Sequence, residues 1–71
     1  MSSDQIDFAT WCIGNLSRRL GISQRDLFNM LDESGILFGY IVPAYDSLHT
    51  FGKDYIMDDI SGLMRERGVL V

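Results

Sequence analysis

LSRRLGISQRDLFNMLDESG, residues 16–35, reads as the end of one helix, a tight turn and a second helix. Arg18 and Arg19 suit a last helical turn, where cations favour the helix dipole, and Gly21 supplies a left-handed stop. Ser23 is an N-cap with Asp26 three residues on, and Ile22 and Leu27 stand at the positions of a hydrophobic staple. Gly35 ends the second helix, with Ile36 placed to fold back onto Leu31 in a Schellman-type contact. Leu27, Met30 and Leu31 face a core, with Phe28 on their flank. The layout is that of a helix-turn-helix, which serves DNA readers and plain helical bundles alike.

In a DNA reader, Gln24 and Arg25 would open the recognition helix, with Arg18 and Arg19 nearby as phosphate contacts. Against this, the helix continues DLFNMLDES, whose three acids outweigh its one arginine and would meet the groove with repulsion. The whole chain carries ten acids against six bases, a net charge of −4, which also repels phosphate backbones. The turn therefore reads first as architecture, with DNA recognition as the alternative.

Outward from this pair, the other elements are also helical. Ser2 or Ser3 caps a first helix, with Gln5 completing a capping box on Ser2. Ile6, Ala9, Ile13, Leu16 and Leu20 recur at three- and four-residue spacing and form its expected core face. Pro43 suits the first turn of a short helix running to His49. Gly52 opens a last helix from Lys53 to about Arg67, with Ile56, Ile60, Leu63 and Met64 as its apolar stripe and Gly68 as its stop. The intervening LFGYIV is too apolar for a solvated loop; a turn, a short strand and a buried segment all stay open. The expectation is an all-α fold: one domain over residues 1–71, built of three main helices and one short one.

Size and composition limit the function. A 71-residue domain buries only ~60% of the surface its unfolded chain exposes, so it gains from partners. Hydrophobic residues at 46% and charged residues at 23% are globular composition, not disorder. The opening MSSDQIDF lacks the basic region and apolar run of a secretory leader, and no stretch approaches the ~18 apolar residues of a membrane span. A cytoplasmic protein is expected. The single cysteine, Cys12, excludes an internal disulfide and reads as a small core residue.

No residue cluster spells out chemistry. His49, the one histidine, could act as a base or ligand with Asp46 or Asp54, but a metal site needs about three or four convergent ligands. The simpler reading is an imidazole bonded to a backbone carbonyl at a helix end, with Thr50 capping the next helix. Asp54, Asp58 and Asp59 read as a solvated face opposite the apolar stripe. There is no Gly-rich phosphate loop and no nucleophile beside a base. No enzyme, cofactor or metal is expected.

What exceeds the needs of a small core is the supply of aromatics. Phe8 and Trp11 lie beside the Ile6/Ile13/Leu20 stripe with Asn15 between them in angle, which places that sector near the surface. Met57, Phe38, Tyr40, Tyr45 and Phe51 add to the surplus. Aromatics and Met are enriched at interfaces. Either they form a partner surface or LFGYIV folds over them.

The string YIVPAYDSLHTFGKDYIMDDI, together with CIGNLSRRLGIS upstream and RERGVL at the end, resembles a family of short bacterial proteins of unknown function. The resemblance runs from Phe8 to Leu70. Its most specific part is Tyr45-x-x-Leu48-His49-Thr50, followed by Gly52, Tyr55, Ile56 and the pair Asp58–Asp59. Members of that family are often encoded beside proteins similar to ADP-ribosyltransferases, in an arrangement resembling toxin–antitoxin pairs. The resemblance implies a small accessory or neutralising partner of such an enzyme, and it carries over no catalytic residues. On this reading Phe8, Trp11, Tyr45 and His49 are the candidate partner-binding residues, with a second copy of the chain also open as a partner.

Overall fold

The structure, a computed structural model, describes residues 1–70. Five helical elements follow one another: α1 (Ser3–Leu20), α2 (Gln24–Glu33), a π-helical turn (Leu37–Ile41), α3 (Tyr45–Leu48) and α4 (Lys53–Glu66). There is no strand among the described residues. The fold is all-α, as the sequence indicates. At 1.5 Å per residue α1 is about 27 Å long, nearly the full 30 Å of the molecule. It packs against both α2 and α4, and α2 packs against the π-helical turn. Among the described residues no helix is long and apolar enough to cross a membrane.

Local chemistry sets the helix ends. The Ser2 hydroxyl accepts from the Gln5 amide while the Gln5 side chain accepts from the Ser2 amide, a complete capping box. The Ser23 hydroxyl accepts from the Asp26 amide at the start of α2. Between α1 and α2, Gly21 takes the left-handed conformation (φ 67°) that a Cβ would strain. The amides of Gly21 and Ile22 both donate to the Ser17 carbonyl, and the Ser17 hydroxyl donates back to the Ile22 carbonyl. This turn is closed by its own hydrogen bonds.

The other helix ends are closed partly by side chains, and one differs from expectation. At the end of α2, Gly35 is left-handed (φ 80°) and its amide donates to the Asp32 carbonyl at 3.1 Å, one of the two Schellman bonds. Ile36 and Leu31 are both fully buried in the core, while the Ile36 amide turns to the Ser34 hydroxyl. That hydroxyl in turn donates to the Leu31 carbonyl, and Arg67 from the end of α4 donates to the Ser34 carbonyl at 3.0 Å. Side chains thus serve the groups of the second Schellman bond, the Ile36 amide and the Leu31 carbonyl. Thr50 does not cap α4: its hydroxyl is used backward on the Ser47 carbonyl, and Gly52 takes the cap position. The short helix also begins later than expected, at Tyr45, because Pro43 sits in the turn before it.

The core gathers Cys12 and Leu16 from α1, Leu27 and Leu31 from α2, Ile36, Leu37 and Ile41 around the π-helical turn, and Ile56, Ile60 and Met64 from α4. Two expectations are corrected here. Phe8 is core, only 8% exposed, whereas Ile6 is 50% exposed and Ile13 and Leu20 are partly covered. The buried face of α1 is thus rotated by roughly 65°, at about 100° per residue, toward Phe8, because the Phe8 ring meets Tyr45 of the later chain. Met57, counted with the surplus, is buried as well.

LFGYIV is the buried segment among the three alternatives. The Val42 amide donates to the Leu37 carbonyl at 3.0 Å, a five-residue closure. This wider turn places Ile36, Leu37, Ile41 and Val42 inward together and leaves Phe38 outward at 53% exposure. It does not cover the surplus aromatics. Gln5 fastens the segment to α1 through the Val42 carbonyl at 3.1 Å, and the Tyr40 hydroxyl fastens it to α4 through Asp59 at 2.5 Å.

Ser61 is the exception in this core. It is buried on α4, and its hydroxyl oxygen has no hydrogen-bond partner. An unpaired buried hydroxyl costs ~1–3 kcal/mol, and alanine is the better helix former. Ser61→Ala should therefore raise stability by ~1 kcal/mol in chemical denaturation; a loss of stability would mean that the hydroxyl finds a partner.

Candidate functional site

Trp11, Phe8, Tyr45 and His49 form one continuous aromatic row. Helical spacing sets it up: Phe8 and Trp11 stand three residues apart on α1, and Tyr45 and His49 four apart along α3 and its cap. The Trp11 ring lies parallel to Phe8 at 6.1 Å, the Phe8 ring meets Tyr45 edge-on at 5.4 Å, and Tyr45 stacks on His49 at 4.3 Å. A second stacked pair, Phe51 and Tyr55, has ring centres 4.4 Å apart at the start of α4. Phe8, Trp11, His49, Phe51, Lys53 and Ile56 enclose a cleft of about 190 Å³.

The four candidate partner-binding residues therefore come together, in unequal roles. Phe8, expected near the surface, is buried and serves as backing. Trp11 (40%) and Phe51 (47%) present large exposed apolar area, and His49 is exposed beside them. Asn15, the angular neighbour of both, donates to the Trp11 carbonyl and leaves the indole face free.

His49 behaves as the simpler reading anticipated. Its Nδ1–H donates to the Tyr45 carbonyl at 2.6 Å, one turn back. Neither Asp46 nor Asp54 is its hydrogen-bond partner. That bond orients the ring and leaves Nε2 free to bond a docked group. Among the described residues no three His, Cys, Asp or Glu side chains gather as a metal site.

The residues of the DNA alternative lie at the end of α1 and the start of α2. Gln24 and Arg25 are exposed at the start of α2. Arg18 bonds the Asn15 amide oxygen at 3.1 Å. Arg19 reaches Asp58 at 2.6 Å and Asp54 at 3.3 Å, bridging α1 to α4. With two carboxylates on it, Arg19 is a poor phosphate contact. Asp54 and Asp58 are exposed as expected, yet they are interhelical tethers as well as a solvated face.

Sequence reasoning missed three features. Phe51 and Tyr55 carried a readable signal, aromatic residues four apart, although Phe51 precedes the helix. Lys53 joins the aromatic cleft to a second one of about 270 Å³, lined by Asn15, Arg18, Arg19, Asp54 and Met57. A separate apolar groove of about 320 Å³ runs between Ile6, Ile13, Phe28, Leu37 and Phe38. It arises from the rotation of α1, which no local pattern announces.

Two buried or bonded groups hold their protons. Burial pushes the Cys12 thiol up to about 12, so it is no nucleophile at neutral pH. The hydrogen bond to Asp59, with burial and the nearby negative charge, pushes the Tyr40 phenol up to about 12. Both values are raised, so the folded chain keeps protons that the unfolded chain loses, from about pH 8.5 for the thiol and about pH 10 for the phenol. Stability from these groups is complete below that window and should fall as pH rises through it toward about 12. Thermal melts between pH 8 and 11 should show this decline, and Cys12→Ala with Tyr40→Phe should flatten it. An unchanged slope in the double variant would assign the decline to other groups.

Residues 7–67 match the model of a family described as protein of unknown function (DUF3791). That span is close to the one over which the sequence resembled such a family. No curated protein and no solved structure matches the chain.

Proposed function

Because the chain belongs to this family of unknown function, its role is argued from its surface, and we propose that it is a small protein-interaction module. The partner is an ADP-ribosyltransferase-like protein of a bacterial, cytoplasmic toxin–antitoxin-type pair, which the module neutralises or assists. The observation that carries the reading is the aromatic row: exposed Trp11 and His49, joined by half-buried Tyr45, backed by Phe8 and accompanied by the exposed pair Phe51 and Tyr55. Trp and Tyr on a rigid support are the residues that dominate binding energy at interfaces. A domain this short also gains stability from a bound partner by mass action. Co-expression with the transferase-like protein should give a stable complex, and transferase activity measured with and without the module gives the sense of the regulation. Absence of a complex in size-exclusion chromatography would sink the proposal.

The alternative, a helix-turn-helix regulator, is favoured only by Gln24 and Arg25, which are exposed at the start of α2. The acidic remainder of that helix and the tethering of Arg19 weigh against it. At ~0.15 M salt the protein should show no sequence-specific duplex binding, whereas genuine readers reach ~10⁻⁸ M or tighter. A promoter footprint abolished by Arg25→Ala would reverse the order of the two readings.

A further inference from the structure

We infer that the cleft beside Trp11 receives one large apolar side chain of a protein segment flanked by carboxylates, which Lys53 and Arg18 bind. The inference rests on the interaction reading and specifies the chemistry of the partner. Size is the first argument. At about 190 Å³ the cleft lies below the ~300–1,000 Å³ of cofactor and small-molecule pockets. Its lining of Phe8, Trp11, Phe51 and Ile56 suits an apolar anchor, with His49 at its edge.

Charge complementarity is the second argument. Lys53 lines both this cleft and its neighbour, where Arg18 and Arg19 stand. Of the carboxylates nearby, Asp54 and Asp58 are both directed at Arg19, and Asp7 stands exposed one turn before Trp11 on α1. Arg18 bonds only the neutral Asn15 side chain, and Lys53 makes no ion pair among the described residues. On a chain of net charge −4, one cation without an ion-pair partner, Lys53, therefore borders the aromatic cleft, and a second, Arg18, lines the adjoining one. An acidic segment gains there, while a basic one meets both the local cations and a lost opportunity for pairing. Single-stranded nucleic acid also uses aromatics beside cations, but it needs a basic groove that tracks several phosphates. Two cations among the surrounding aspartates do not supply one.

Trp11 is the only tryptophan, so its fluorescence reports on this cleft directly. Three probes are titrated into the intact chain: a blocked hexapeptide with a Phe-Leu centre flanked by glutamates, the same peptide flanked by lysines, and an oligothymidine dodecamer. The glutamate peptide should shift the emission to the blue and bind at least tenfold more tightly than the lysine peptide. This preference should vanish in Lys53→Glu combined with Arg18→Glu. Lys53→Glu places an acid in the first turn of α4, where the helix dipole favours it, whereas Arg18→Glu places one in the last turn of α1, where the dipole opposes it. A thermal melt of the double variant therefore checks that it is folded before binding is read. Equal binding of the two peptides, tighter binding of the oligothymidine, or an unchanged emission with every probe would overturn the inference. A transferase complex that needs Trp11 but ignores the double charge reversal would overturn it too, while leaving the interaction reading intact. Loss of both complex and peptide binding in the wild-type chain would remove the two together.

Discussion

Leu16→Ala is expected to remove a large part of the protein's stability and to lower its melting temperature by more than 10 °C. Leu16 is fully buried on α1, in the core that α2 and α4 complete. A buried Leu→Ala change costs ~2–5 kcal/mol, from lost transfer energy and from the cavity it leaves. At ~0.05–0.15 kcal/mol per residue, a chain of this length has only about 4–10 kcal/mol in total. Each 1 kcal/mol moves the midpoint of so small a domain by ~4–8 °C. Circular dichroism melts of Leu16→Ala and Leu20→Ala make the comparison sharp. The sequence pattern ranks the two alike, whereas the structure covers Leu20 only partly, so its truncation should cost less. Equal losses would restore the unrotated face of α1.

That contrast shows where sequence reasoning stops. The caps at Ser2 and Ser23 and the left-handed stops at Gly21, Gly35 and Gly68 were legible, because each depends on residues within one turn. The inward face of α1 was not. Ile6, Phe8, Ala9, Trp11, Cys12, Ile13 and Leu16 surround most of the helix with apolar groups, so local periodicity tolerates several rotations. The choice is made by Tyr45, some 37 residues after Phe8, which draws that ring inward and leaves Ile6 outside. The π-helical turn escaped for a different reason. Its apolar doublets, Ile36–Leu37 and Ile41–Val42, repeat at five residues, which matches neither the α nor the β period. A five-residue closure explains that spacing afterwards. The candidate site was half legible: the surplus of aromatics was visible in the sequence, but the division into a buried support and exposed contacts needed the tertiary fold.

Trp11→Ala tests that division. Trp11 is 40% exposed and lies against Phe8, which is nearly inaccessible. The two residues are neighbours on the same helix, yet they should fail in opposite ways. Phe8→Ala opens a cavity under the aromatic row and should cost ~3–5 kcal/mol of stability. Trp11→Ala leaves solvent where solvent already reaches and should lower the melting midpoint much less than Leu16→Ala does. Its effect belongs to association. A Trp at the centre of an interface commonly costs ~2 kcal/mol or more on truncation. Affinity for the transferase-like partner, or for a second copy of the chain, should therefore fall at least tenfold, ~1.4 kcal/mol. Calorimetry on the complex and thermal melts of the free chain read the two quantities separately. If Trp11→Ala destabilises the free chain as severely as Leu16→Ala, the indole is part of the core. If it folds normally and binds with full affinity, the partner surface lies elsewhere, and the groove between Ile6, Phe28 and Phe38 becomes the next apolar surface to truncate.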